Sequence, residues 1–123
     1  MSSEENPHFI DEYMPIIDAL RGKHALDVTF IDLRSVSGFA DAFVIASARS
    51  DINARTLLDA VTDKLDEIGI GYKVEGVEST RWKLIDAGNT VIHIFSKSGR
   101  EFYKLERLWG DAPMTTFEDE DGE

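Results

Sequence analysis

The chain is predicted to fold as an α/β domain, a mixed sheet of about five strands flanked by helices. Three observations carry this. Asp51 to Ile68 repeats apolar residues at three- and four-residue steps, the period of a helix that buries one face. Phe43-Val44-Ile45-Ala46 and Val91-Ile92-His93-Ile94-Phe95 are short continuous apolar runs, which suit strands covered on both sides. A helical crossover and a hairpin then occur in one chain, so parallel and antiparallel neighbours must share the sheet.

Asn6-Pro7 can open a helix, because proline is tolerated in a first turn. Pro15 interrupts any single helix reaching Arg21, so two short pieces or a kink are expected there. Ile16, Ile17 and Leu20 form the apolar stripe of the second piece. Val28 to Leu33 reads as a strand, and Ser35 to Asp41 as a loop around Gly38. Ser50 caps the helix 51–68, whose buried face is Leu57, Leu58, Val61, Leu65 and Ile68, and Gly69 supplies a left-handed stop. Tyr72 to Glu75 is a short strand. Trp82 to Asp86 and Thr90 to Phe95 form a hairpin through Ala87-Gly88-Asn89. Ser98-Gly99-Arg100-Glu101 has capping-box spacing, and the helix after it places Phe102, Leu105 and Trp109 on one stripe, with Gly110 as its end. The segment 114–123 lacks apolar periodicity and is expected to be a disordered acidic tail. Residues 1–13 are expected to be partly ordered, and 14–113 to form the folded domain.

With 123 residues there is room for one core. No apolar run nears the roughly 20 residues that cross a bilayer, and the polar, acidic start does not read as a secretory or transit leader, so a soluble, cytoplasmic protein is expected. The absence of cysteine excludes disulfides, thiolate metal sites and cysteine nucleophiles. The formal charge is −11, from 24 acidic and 13 basic residues. Five of the acids stand between Glu118 and Glu123, and the rest of the chain stays acidic without them. Such a surface repels phosphate backbones, so no specific direct nucleic-acid binding is expected; it favours a basic partner or serves solubility.

Catalytic chemistry finds little support. No Walker loop or dinucleotide fingerprint is present. His8, His24 and His93 show no metal-ligand spacing, and His93 inside an apolar strand reads as a hydrogen-bonded core or rim residue. Asp32, Asp41 and Asp86 lie near strand ends, but none belongs to an Asp-x-Asp or Asp-x-Glu pair of the kind that holds two metal ions. Turn and cap work accounts for them. No metal, no cofactor and no catalytic residue is expected. The aromatics say more. Trp82 alternates with Leu84 and Asp86 onto one strand face, opposite Lys83 and Ile85. Tyr103 falls one residue off the predicted stripe, toward the helix flank. A tryptophan and a tyrosine at a sheet rim are common interface anchors, and ordinary core packing is the competing account of Trp82.

Asp41-Ala42-Phe43-Val44-Ile45-Ala46-Ser47, Val74-Glu75-Gly76, Trp82-Lys83-Leu84-Ile85-Asp86-Ala87-Gly88 and the closing run Arg100, Tyr103, Leu105-Glu106, Leu108-Trp109-Gly110-Asp111-Ala112-Pro113 together resemble the Iojap family of ribosomal silencing factors. The similarity spans about Met14 to Pro113. It implies a nucleotidyltransferase-like sheet without the metal-binding carboxylates. It implies docking on the large ribosomal subunit through the ribosomal protein L-fourteen, steric exclusion of the small subunit, and repression of translation. It also implies a partner-binding surface at Trp82, Asp86, Ala87 and Tyr103. Two departures stand out: Ala87 replaces a usually larger apolar residue, and Ala48 stands where glycine is common. A nucleotide-binding or nucleotidyltransferase enzyme on the same fold, and a large-subunit assembly factor, are the alternative expectations. Monomer and homodimer both remain open.

Overall fold

The computed structural model describes residues 9–36, 38 and 40–119. The break expected at Pro15 takes the form of two helical pieces. A 3₁₀ helix, Phe9–Tyr13, leads into α1, Met14–Gly22, with the proline in the first turn of α1, where its missing N–H loses no intrahelical bond. Ile16, Ile17 and Leu20 are buried as their spacing requires, and Phe9 and Tyr13 join the same cluster.

Six strands follow one another with two further helices between them: β1 Leu26–Asp32, β2 Ala42–Ser47, α2 Asp51–Ile68, β3 Lys73–Glu75, β4 Trp82–Asp86, β5 Thr90–Phe95, α3 Lys97–Tyr103 and β6 Met114–Thr116. The sheet order is β3-β4-β5-β2-β1-β6. Only β2 and β5 run parallel, joined through the α2 crossover and the β3-β4 excursion; every other pair is antiparallel. All six residues of β2 are buried, as expected of a strand covered on both faces.

The count is six strands rather than five because Met114–Thr116, expected in the disordered tail, pairs with Thr29–Ile31 of β1. Its three residues are all exposed, so only backbone pairing reveals it. The chain beyond it continues along β1: the Phe117 N–H donates to the Val28 carbonyl at 2.8 Å, and Asp119 Oδ1 accepts from the Asp27 N–H at 2.8 Å. Arg21 Nη2 reaches the Glu118 carbonyl at 3.1 Å. The end of the acidic segment, 120–123, lies outside the described residues.

The two sheet faces carry separate apolar clusters. On one, α1 and α2 cover Val28, Phe30, Val44, Ile85, Ile92 and Ile94. On the other, Leu105 and Ala112, with Trp109 against them, cover Ile31, Phe43, Ile45 and Phe95. Helix α2 has the expected bounds: Ser50 Oγ accepts from the Asn53 N–H, and Gly69 stops the helix at φ 81°. Its last apolar residue differs from expectation, since Ile68 is 44% exposed.

The C-terminal helix also departs from its sequence pattern. Ser96, not Ser98, caps α3, by accepting from the Gly99 N–H at 2.9 Å. The helix stops at Lys104, which turns left-handed at φ 47°, and a 3₁₀ helix, Leu105–Trp109, continues at a new angle. Phe102, Leu105 and Trp109 therefore share no stripe. Leu105 is buried and Trp109 half-buried, while Phe102 is 66% exposed.

Candidate functional interface

The second face is covered unevenly. The segment after β5 lies over β1, β2 and β5, and the β3-β4 side retains exposed and half-buried side chains. Alternation sends Trp82, Leu84 and Asp86 of β4 to this face, opposite Phe95, His93 and Val91 of β5. The edge strand β3 adds Lys73, across from Asp86, and Glu75, across from Leu84, both exposed. Trp82 and Leu84 are half-buried and Asp86 is exposed. Trp82 is thus neither a core residue nor a free one.

Helix α3 brings Tyr103 to Trp82. Their ring centroids are 4.7 Å apart, and the indole also stacks on Phe95 at 5.1 Å and 28°. Tyr103 stays 39% exposed. Phe102 meets its ring edge-on at 4.9 Å, and the Arg81 guanidinium lies over the Phe102 ring at 5.2 Å. The result is an aromatic ledge of Trp82, Tyr103 and Phe102, carried by one strand and one helix. Two glycines permit it. A side chain at Gly99 would collide with the Arg81 carbonyl, so α3 can lie against the start of β4 only without one. Gly76, at φ 73°, passes the Trp82 carbonyl where a Cβ would sit 2.6 Å away.

Beneath the ledge lies His93, 3% exposed. The Trp82 Nε1–H donates to His93 Nδ1 at 3.1 Å. Burial drives the imidazole pKa down to about 4, so the ring is neutral near pH 7 and Nδ1 is free to accept. The segment carrying Tyr103 is fastened at its other end by Arg100. That guanidinium donates twice to Glu106 Oε2, at 2.9 and 2.6 Å, and also reaches Ser47 Oγ at 3.0 Å and Thr29 Oγ1 at 3.1 Å. The left-handed turn at Lys104 is what brings residues 100 and 106 together.

Of the four expected docking residues, Trp82, Asp86 and Tyr103 belong to this face. Ala87 does not. It is buried on the helix side, with the cluster under α1 and α2, and lines a cavity of about 450 Å³ with Ile16, Leu65, Ile68 and Ile70. Asp86 also holds the turn, since its Oδ1 accepts from the Gly88 N–H at 3.2 Å, which is the turn work its position suggests. Phe102, Glu75 and Lys73 were not singled out by sequence. For β3 the signal was available: Val74 faces the core, so its two neighbours must face the other way.

Two of the acids near the strand ends, Asp32 and Asp86, are occupied locally. Asp32 takes both Arg34 Nε, at 3.0 Å, and Nη2, at 2.8 Å. Burial alone would raise its pKa, and the hydrogen bonds from Arg34 outweigh that and hold it below the usual carboxylate range. Among the described residues no group of three or more His, Asp or Glu side chains is placed to hold a metal ion, and no helix is long and apolar enough to cross a membrane.

Comparison with known proteins agrees with this architecture. A ribosomal silencing factor of Bacillus subtilis is 41% identical over 93 residues, which is 75% of this chain and 79% of that protein. A crystal structure of a Chromobacterium violaceum protein superposes with a TM-score of 0.78 at 31% identity, covering 82% of this chain and 86% of that one. A mouse protein named for mitochondrial assembly of the ribosomal large subunit is 27% identical over 109 residues, 85% of this chain and 46% of its own length. The family model described as ribosomal silencing factor during starvation matches residues 6–123. With that match across the same sheet, hairpin and closing helix, the chain belongs to the ribosomal silencing factor family.

Proposed function

We propose that this chain represses translation by docking, without catalysis, on the L-fourteen protein of the large ribosomal subunit, where its bulk excludes the small subunit. The observation that carries the reading is the aromatic ledge. Trp82 and Tyr103 are held in a fixed mutual geometry, yet Tyr103 and the neighbouring Phe102 remain exposed. Rigid aromatics with exposed area are what interface anchors require. Asp86 and Glu75 lie on the same sheet face as Trp82 and suit a basic partner, with Lys73 opposite Asp86 and Arg81 over Phe102 moderating the charge locally. Steric exclusion needs affinity and volume only, so no acid, base or nucleophile has to be found. The site of action under this reading is the cytoplasm.

The test is subunit joining. Purified large and small subunits are mixed with and without excess protein and separated on a sucrose gradient. The expected outcome is loss of the joined particle and comigration of the protein with large subunits. Joined particles undiminished by a large molar excess would refute the reading.

A second reading, assistance in building the large subunit, is favoured by the name of the mouse relative. The two separate on precursor particles: an assembly factor prefers immature over mature large subunits, whereas a silencing factor binds the mature ones.

A further inference from the structure

His93 has two ring nitrogens in very different situations. Nδ1 accepts the indole N–H of Trp82 at 3.1 Å. Nε2 is buried and makes no hydrogen bond among the described residues. An accepting Nδ1 carries no proton, so the neutral ring must keep its hydrogen on Nε2. That N–H is therefore buried without an acceptor, which opposes folding. A leucine or phenylalanine here would avoid the penalty, and the surroundings suit one. Phe43 lies at 4.6 Å and Phe95 at 6.1 Å, nearly parallel. Packing therefore gives no reason for an imidazole. The bond to Trp82 does.

That bond has two effects on the ledge. It fixes the in-plane orientation of the indole by a directional bond, which the ring contacts with Phe95 and Tyr103 do not supply. It also uses the one hydrogen-bond donor of the tryptophan side chain. We infer that His93 is a positioning residue for docking: it locks the Trp82 ring and turns its N–H inward, so that a partner meets Trp82 only as carbon and π surface. The inference rests on the docking reading above. The matching group on the partner is then an aliphatic side chain or the cation of a lysine or arginine lying over the ring, not a hydrogen-bond acceptor.

The test compares His93→Asn, which keeps an acceptor near the Nδ1 position, with His93→Leu and His93→Phe, which keep bulk and lose it. Two acceptor-free variants allow the comparison if one fails to fold. Each full-length protein is read twice: by hydrogen exchange of the Trp82 indole proton in nitrogen-15 spectra, assigned by its loss in Trp82→Phe, and by retention on purified large subunits. The expected result is at least tenfold faster indole exchange and at least fivefold weaker retention in the acceptor-free variants, with His93→Asn within about twofold of wild type on both. Wild-type retention by a folded acceptor-free variant overturns the inference and leaves the docking reading standing. So does a folded His93→Asn as weak as His93→Leu, which would make the imidazole merely structural. If wild-type protein itself is not retained, the docking reading falls and takes the inference with it.

Discussion

The rings of Trp82 and Tyr103 lie 4.7 Å apart, one from the first residue of a strand and the other from the last residue of a helix. Both lie at the rim of the core: Trp82 is only half-buried over Phe95, and Tyr103 is 39% exposed. Removing either should therefore weaken docking more than folding. Trp82→Ala and Tyr103→Ala are each expected to cost roughly 1–4 kcal/mol of binding to large subunits, with the far-ultraviolet circular dichroism spectrum unchanged. Cosedimentation measures the first and the spectrum the second; full retention of both variants would dismiss the ledge as the docking surface.

Ala87 offers a control on the opposite side of the sheet. It borders the cavity formed with Ile16, Leu65, Ile68 and Ile70. Ala87→Leu is expected to fill part of that space, to leave the melting temperature unchanged or slightly raised, and to leave retention on large subunits within about twofold of wild type. A large loss of retention in a protein that still folds would return position 87 to the interface.

Arg100 joins the last helix to the strands through Glu106, Ser47 and Thr29. Its fork geometry makes several bonds at once, which an ammonium cannot copy. Arg100→Met and Arg100→Lys are both expected to destabilise by about 2 kcal/mol, read as a shift in the urea midpoint. Full stability in Arg100→Lys would mean that charge alone is what matters.

Gly99 meets the Arg81 carbonyl with no room for a methyl group. Gly99→Ala should push α3 off the start of β4 and carry Tyr103 with it. The expected readout is a change in tryptophan emission and weaker retention on large subunits, even if the alanine raises local helix propensity. An unchanged emission spectrum would show that the backbone accommodates the added atom.

Acid should weaken the fold, and His93 sets the window. Its pKa is about 4 in the folded chain, because of burial, against an ordinary value near 6.5 when unfolded. Between those values the unfolded chain takes up a proton that the folded chain refuses. Stability therefore rises with pH across that interval and levels off above it, by an amount on the order of 3 kcal/mol in total. Asp32 adds to the acid side. Its lowered pKa contributes stability that is present above the unfolded carboxylate value and fades as pH falls through the folded one. Urea midpoints are expected to be flat from pH 8 to 7 and to drop from about 6.5 toward 4, with a shallower slope in His93→Leu. A wild-type midpoint equal at pH 7 and pH 5 would contradict the assignment.

Helix α2 was legible to the residue because both ends carry chemical punctuation, the Ser50 hydroxyl and the left-handed Gly69, and its apolar period has no gap. The β4-β5 hairpin was legible for a similar reason: Gly88 supplies the positive φ of the turn, and alternation fixes the faces. Other features depend on contacts that periodicity does not encode. Lys104 adopts a left-handed conformation without being glycine or asparagine, so nothing in the Phe102-to-Trp109 pattern announces the break. The Arg100–Glu106 pair has a spacing that no continuous helix would bring together. The resemblance puts Ala87 on the docking surface with Asp86, yet Ala87 follows Asp86 by one residue, and a single step in an extended chain reverses the side. Strand β6 has no buried residue at all and is held by backbone pairing, with one side-chain bond between the Thr116 and Thr29 hydroxyls at 3.3 Å.

That last strand has a consequence for the order in which the protein is made. β6 pairs with β1, the first strand of the sheet in chain order, and follows every other strand of it. Until residues 114–116 have left the exit tunnel of the translating ribosome, β1 must wait with the Thr29–Ile31 backbone unpaired on its outer side, a sticky edge for any other nascent chain. Emergence of residues 114–116, rather than any earlier step, seals it.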